Sequence, residues 1–170
     1  VLFDAFGTLF DVYSVSTLAE QLFPGQGERL SILWRDKQIE YTRLASMSGA
    51  QGEHYRPFWE ITRAGLRYAA LRLGLALDAA AEERLMNQYH HLSSFPENKP
   101  VLQALKARGS PAGILSNGDP QMLSVAVKSA GLEGLLDPLL SVHETRRYKT
   151  DPATYALGPA ALKLPARDIL

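Results

Sequence analysis

PAGILSNGDPQMLSVAVKSAGLEGLLDPLLSV, residues 111–142, alternates two kinds of segment. The apolar run at 112–115 ends in Ser116, Asn117 and Gly118. Asp119-Pro120 then offers an N-cap and a first-turn proline for a helix that Gly131 stops, and Leu139 to Val142 is a second apolar run. Strand, helix and strand in this order argue for a parallel sheet with helices on its faces. Working outward, 100–108 reads as a helix closed by Gly109, Asp151-Pro152 opens another, and Ile169-Leu170 begin a further strand. At the other end Val1 to Phe3 is a short apolar run feeding Asp4 and a Gly7-Thr8 turn, the pattern of a buried strand entering a loop.

Between these strands the period is helical. Residues 14–23 are amphipathic and end at Pro24-Gly25, and 28–47 carry Leu30, Leu33, Trp34, Tyr41 and Leu44 at helical spacing before the loop SGAQG at 48–52. A third helix, 57–73, aligns Phe58, Ile61, Leu66, Ala69 and Leu73 and stops at Gly74. Asp78 caps a fourth that ends near Ser93. Four consecutive helices are too many for a crossover, so the sequence predicts an α/β fold: a Rossmann-like parallel-sheet core, 1–12 and 96–170, with an inserted helical cap domain, 13–95. Trp59 and Tyr68 lie off the main stripe of the third helix, which predicts a second packing partner and a homodimer through the cap.

Eighteen Lys and Arg balance eighteen Asp and Glu, so the net charge gives no reason to expect a nucleic-acid or anionic-membrane partner. With no Cys, the chain has no disulfide, thiolate nucleophile or thiolate metal site, a pattern that fits a reducing cytoplasm. The most apolar stretch, AALRLGLALDAAA at 69–81, is cut by Arg72 and Asp78. That is short of the roughly 20 apolar residues a span needs, so a soluble chain is predicted. The opening VLFDAFGTLFD has no basic n-region and no initiator Met, and the last residues start an apolar run; both predict a sequence clipped from a longer protein.

Open parallel sheets bind ligands beyond the carboxyl ends of their strands. Three polar clusters fall there: Asp4 with Gly7 and Thr8, then Ser116-Asn117-Gly118, then Lys149. Singly, each is what turns and solvated loops carry. Together they bring a carboxylate, a hydroxyl with an amide, and an ammonium to one sheet edge. A carboxylate oriented by such donors and partly stripped of water suits nucleophilic catalysis, with Asp4 as the nucleophile. His54 and His143 fall in loops and His90 and His91 point about 100° apart on a helix, so no metal site is expected.

DAFGTLFD at 4–11, WRDKQIEY at 34–41, LSNGDPQML at 115–123 and RRYKTDPATYALGP at 146–159 resemble, in this order, the L-2-haloacid dehalogenases of the haloacid dehalogenase superfamily. The resemblance implies hydrolysis of short (S)-2-haloalkanoic acids to (R)-2-hydroxy acids plus halide, through an ester on Asp4 and without a cofactor. It also implies that Thr8 hydrogen-bonds the nucleophile, that Lys149 pairs with it, and that Ser116 holds the substrate carboxylate. Arg35, helped by Asn117, would receive the halide; Phe6, Ile39 and Phe58 would form an apolar wall, and Tyr155 would hydrogen-bond near Lys149. A homodimer is implied as well.

Phe6 separates this reading from the superfamily's phosphatases, which typically carry a second Asp at that position as general acid and base and need Mg²⁺. A halide leaves as a stable anion with no proton and asks only for positive charge to receive it. The alternatives are a phosphatase of the same superfamily and a non-catalytic interaction protein on the same fold. The sequence departs from the family at Thr150, where Pro is usual. The resemblance also implies a further polar segment, with an Asp that helps position the hydrolytic water, which would begin beyond Leu170.

Overall fold

A computed structural model describes residues 1–49 and 52–170 of the chain. Strands β1 (Leu2–Phe3), β4 (Gly113–Ser116) and β5 (Leu139–Ser141) form a parallel sheet in the order β1-β4-β5. Phe3 pairs with Ile114, and Ser116 with Ser141. Parallel strands in this register end together, so the residues after Phe3, Leu115 and Leu140 emerge on one edge. The backbone of Leu170 runs along the open side of β1, its carbonyl accepting from the Leu2 amide at 2.7 Å. The strand expected at Ile169-Leu170 therefore appears as this single pairing, preceded by a 3₁₀ turn at Ala166–Asp168.

Strand β2 (Phe10–Asp11) pairs antiparallel with β3 (Ser93–Ser94) where the chain leaves for the helices and returns from them. Two residues per strand leave no alternation to read, so this ladder has no signature in the sequence, and the fourth helix ends earlier than expected. The intervening helices are α1 (Ser16–Leu22), α2 (Gly27–Met47), α3 (Phe58–Arg72) and α4 (Ala79–His90). Asp78 caps α4 as predicted, accepting from Ala81 at 2.7 Å. Of the loop expected at 48–52, Ala50 and Gln51 lie outside the described residues.

Helices α2 and α3 approach closely because Gly65 has no side chain: a Cβ there would stand 3.2 Å from the Trp34 carbonyl oxygen. Trp34, fully buried, donates its indole N–H to the Thr62 carbonyl at 2.7 Å. The rest of the α/β part comprises α5 (Asn98–Ala107), α6 (Pro120–Ser129), α7 (Pro152–Tyr155) and α8 (Leu157–Leu162). Asp151 caps α7 through the Ala153 amide at 2.8 Å. Buried Phe6 and Phe10 from the strand side meet Phe58 and Tyr89 from α3 and α4, with the Phe6 ring 5.7 Å from Phe58 and 5.9 Å from Tyr89. Aromatic burial is therefore continuous between sheet and helices.

No described helix is long and apolar enough to cross a membrane. Trp59 and Tyr68 are not free for a partner in the way the stripe suggested. Trp59 stacks on His90 with centroids 4.0 Å apart, and Tyr68 packs edge-on against Tyr41 beneath the Lys37 ammonium. Both rings are half-covered within the chain itself.

Candidate active site

Asp4 follows β1 directly, so its carboxylate sits at the carboxyl edge of the sheet. Its Oδ1 accepts from Lys149 Nζ at 2.8 Å, across 145 residues of chain. Lys149 is held at its other end too, its amide donating to Asn117 Oδ1 at 2.9 Å, so Thr150 in place of Pro does not leave the lysine unsupported. Asn117 belongs to the loop after β4, which is itself fixed: the Gly118 amide donates to Ser116 Oγ at 3.1 Å and Ser141 Oγ donates to the Gly118 carbonyl at 2.6 Å. Asp4, the Ser116-Asn117 pair and Lys149 are thus brought together at one sheet edge.

Arg35 reaches the same place from α2. Its Nη2 donates to the Phe6 carbonyl at 2.8 Å and its Nη1 to Gln38 Oε1 at 2.7 Å. Gly7 adopts φ +100°, a conformation that disfavours a side chain, and a Cβ there would lie 3.4 Å from Arg35 Nη2. The turn after the nucleophile and the seat of the guanidinium are one piece of geometry.

A cavity of about 210 Å³ collects Asp4, Phe6, Arg35, Ile39, Phe58, Ser116, Asn117 and Lys149. Eight of the ten residues picked from the sequence line it; the other two do not. Thr8 is exposed in the turn, and its hydroxyl makes no hydrogen bond to Asp4 among the described residues. The turn closes through the Thr8 amide to the Ala5 carbonyl at 3.3 Å, which leaves the side chain facing outward. Tyr155 is half exposed and lines a different cavity of about 270 Å³, bounded also by Leu2, Pro159 and Ile169. Asp4 and Lys149 border both cavities, so Tyr155 stands on the far side of the ion pair from Arg35.

Several contributors were not singled out from the sequence. Thr42 and Arg43 line the first cavity, both about two turns beyond Arg35 on α2. Their helical spacing from Arg35 and Ile39 was the available signal. Gln38, Thr62 and Tyr89 form a buried polar chain behind Arg35, and residues so far apart carry no motif. Burial pushes the Tyr89 and Tyr148 phenols above their ordinary range, so both remain donors. No three His, Asp or Glu side chains converge as a metal site among the described residues.

An aspartate paired with a lysine at the carboxyl edge of a parallel sheet thus shares one cavity with an arginine delivered from α2, an arrangement that fits a hydrolase. The chain belongs to the haloacid dehalogenase-like hydrolase family, whose model matches residues 1–170. It is 42% identical over 170 residues to the (S)-2-haloacid dehalogenase of Pseudomonas sp. strain YL and 37% to that of Pseudomonas putida. It is matched over its full length in both cases and covers 72% and 73% of those proteins. Among solved structures, an L-2-haloacid dehalogenase superposes with a TM-score of 0.94 at 62% identity, over 96% of this chain and 72% of that one. The Xanthobacter autotrophicus L-2-haloacid dehalogenase with chloropropionic acid covalently bound gives 0.88 at 37% identity, over 96% of this chain and 64% of that one.

Proposed function

We propose that the protein is a hydrolytic dehalogenase that converts short (S)-2-haloalkanoic acids to (R)-2-hydroxy acids plus halide. The observation that carries this reading is the shared cavity in which the Asp4–Lys149 pair faces Arg35 across an apolar wall, with Phe6 where a phosphatase would hold its acid. Asp4 attacks carbon 2 from behind, forming a C–O bond as the C–halogen bond breaks, and the halide leaves with the electron pair toward Arg35 and Asn117. Ser116 holds the substrate carboxylate. Water then attacks the ester at the Asp4 carbonyl carbon; one of its protons passes to the departing oxygen to give the hydroxy acid and the other to solvent, which restores the carboxylate, so the centre inverts once. Lys149 holds Asp4 oriented between turnovers.

We further assign residues 1–12 and 96–170 to a core and 13–95 to a cap, a division supported by the β2–β3 ladder at its stem. A homodimer through the cap is proposed on a different surface from Trp59 and Tyr68: Ile32, Leu44 and Met47 on α2 and Leu71 on α3 are exposed. Light scattering that gives a monomer mass at micromolar concentration removes the dimer. A cytoplasmic location is proposed from the absence of Cys.

Single-turnover hydrolysis of (S)-2-chloropropionate in heavy-oxygen water tests the mechanism. The label should enter Asp4 and not the first product; label in the first product overturns the ester route. Phosphate release from an aryl phosphate with Mg²⁺, in place of halide release, would favour the phosphatase.

A further inference from the structure

The guanidinium that would receive the halide is fixed by a residue that lines neither cavity. Arg35 Nη1 donates to Gln38 Oε1 at 2.7 Å, and Gln38, one turn further along α2, is completely buried. Its amide is oriented from two other helices. Gln38 Nε2 donates to Thr62 Oγ1 on α3 at 2.6 Å, while the Tyr89 hydroxyl on α4 donates to Gln38 Oε1 at 3.0 Å. Thr62 gives its only hydroxyl proton to the Phe58 carbonyl at 2.7 Å, so Oγ1 can only accept from Gln38. The Gln38 oxygen must then face Arg35. A flipped amide would set N–H groups against the guanidinium and leave buried donors unpaired.

We propose that Gln38 is a positioning residue for halide departure: held by Thr62 and Tyr89, it fixes the Arg35 guanidinium so that its unshared N–H groups meet the leaving halide. This rests on the dehalogenase reading. Gln38 exchanges no proton or electron with the substrate; the C–halogen pair leaves with the halide, and the amide supplies orientation alone. A poorer leaving group depends more on donors already in place at the transition state. Loss of Gln38 orientation should therefore slow chloride release more than bromide release, whereas a general loosening of the cap would slow both alike.

The test compares single-turnover release of chloride from 2-chloropropionate and of bromide from 2-bromopropionate in wild type and three variants. Gln38→Met keeps the volume and removes the acceptor. Thr62→Val removes only the oxygen that orients Gln38, and Thr62→Ser restores it. In Gln38→Met and Thr62→Val the bromide-to-chloride rate ratio should rise by about tenfold, with little change in substrate affinity, and Thr62→Ser should return the wild-type ratio. A wild-type ratio in folded Thr62→Val overturns the assignment, whatever Gln38→Met does. A wild-type protein that releases neither halide overturns the dehalogenase reading instead.

Discussion

The carboxylate of Asp119 caps a helix that is not its own: Oδ1 accepts from the Phe58 amide at 3.0 Å and Oδ2 from the Trp59 amide at 2.8 Å. Asp119 immediately precedes Pro120 and by pattern should cap α6, yet it makes no capping bond there. It satisfies the first amides of α3 instead, at the positive end of that helix's dipole. The loop that carries Ser116 and Asn117 is thereby fastened to the helix that carries Phe58, so one loop fixes both the polar and the apolar side of the cavity.

Replacing Asp119 with Ala should cost about 1 to 2 kcal/mol of stability, the range for losing a helix cap. It should also raise the KM for haloacid more than it lowers kcat, because Phe58 loses its anchor while Asp4 and Lys149 keep theirs. Urea unfolding and steady-state halide release check the two parts, and unchanged stability would show that water replaces the carboxylate without loss.

Asp4→Asn should abolish turnover, by ~10³-fold or more, because a neutral amide is a poor nucleophile. The fold should survive, since the two side chains are nearly isosteric and Asp4 lies at a half-exposed sheet edge. Sustained halide release by the variant, with reversion to Asp excluded by mass, would take Asp4 out of the mechanism.

Arg35→Lys keeps the charge and loses the planar fork. One ammonium does not reproduce the geometry in which Phe6 O and Gln38 Oε1 are bound by two nitrogens of one plane while further N–H groups face the cavity. Halide release should slow by about 10 to 100-fold. A rate equal to wild type would return Arg35 to the role of a helix-surface cation.

What the sequence made legible followed physical locality. The parallel sheet and the four helices rest on local periodicity and on caps such as Asp78 and Asp151, and these are where expected. Asp4, Ser116 and Lys149 were found because strand ends in one sheet share an edge. Arg35 needed the family motif, since an arginine on an amphipathic helix is otherwise ordinary. Three features escaped. The β2–β3 ladder is too short for a pattern, the true target of Asp119 lies 60 residues away, and the Gln38–Thr62–Tyr89 chain joins three helices through side chains alone. Thr8 and Tyr155 show the converse: a motif position fixes which residue is present and leaves open where its side chain points.

His90 should make stability depend on pH. Burial against Trp59 depresses its pKa below the ordinary 6.5, neighbouring His91 adds to this, and Asp119 opposes it. The unfolded chain therefore binds a proton more readily than the folded one. The contribution of neutral His90 is complete above pH ~6.5 and is lost as pH falls from there through the depressed folded value. His90→Phe keeps a ring on Trp59 and removes the proton site, so the difference in unfolding free energy between wild type and variant should change across that window and be flat above it. A difference that is constant from pH 5 to pH 8, as rough bounds on the window, would remove His90 from the linkage.

Phe6 stands where the resemblance puts a second Asp in the superfamily's phosphatases, and here it cannot be converted cheaply. Its ring is buried, 3% exposed, and touches Phe10, Phe58 and Tyr89. Phe6→Asp loses these contacts, about 3 to 5 kcal/mol for a large-to-small aromatic change, and places a carboxylate among rings. Arg35 is already bonded to the Phe6 carbonyl, and pairing with the new carboxylate would draw it from the halide position. Phe6→Asp should therefore be strongly destabilised, lose halide release and gain no Mg²⁺-dependent phosphatase activity. Phe6→Leu, which keeps an apolar side chain, should cost about 1 to 3 kcal/mol and retain dehalogenation. A stable Phe6→Asp protein that hydrolyses an aryl phosphate with Mg²⁺ would show that the acid alone, and not the aromatic wall built around its absence, divides the two activities.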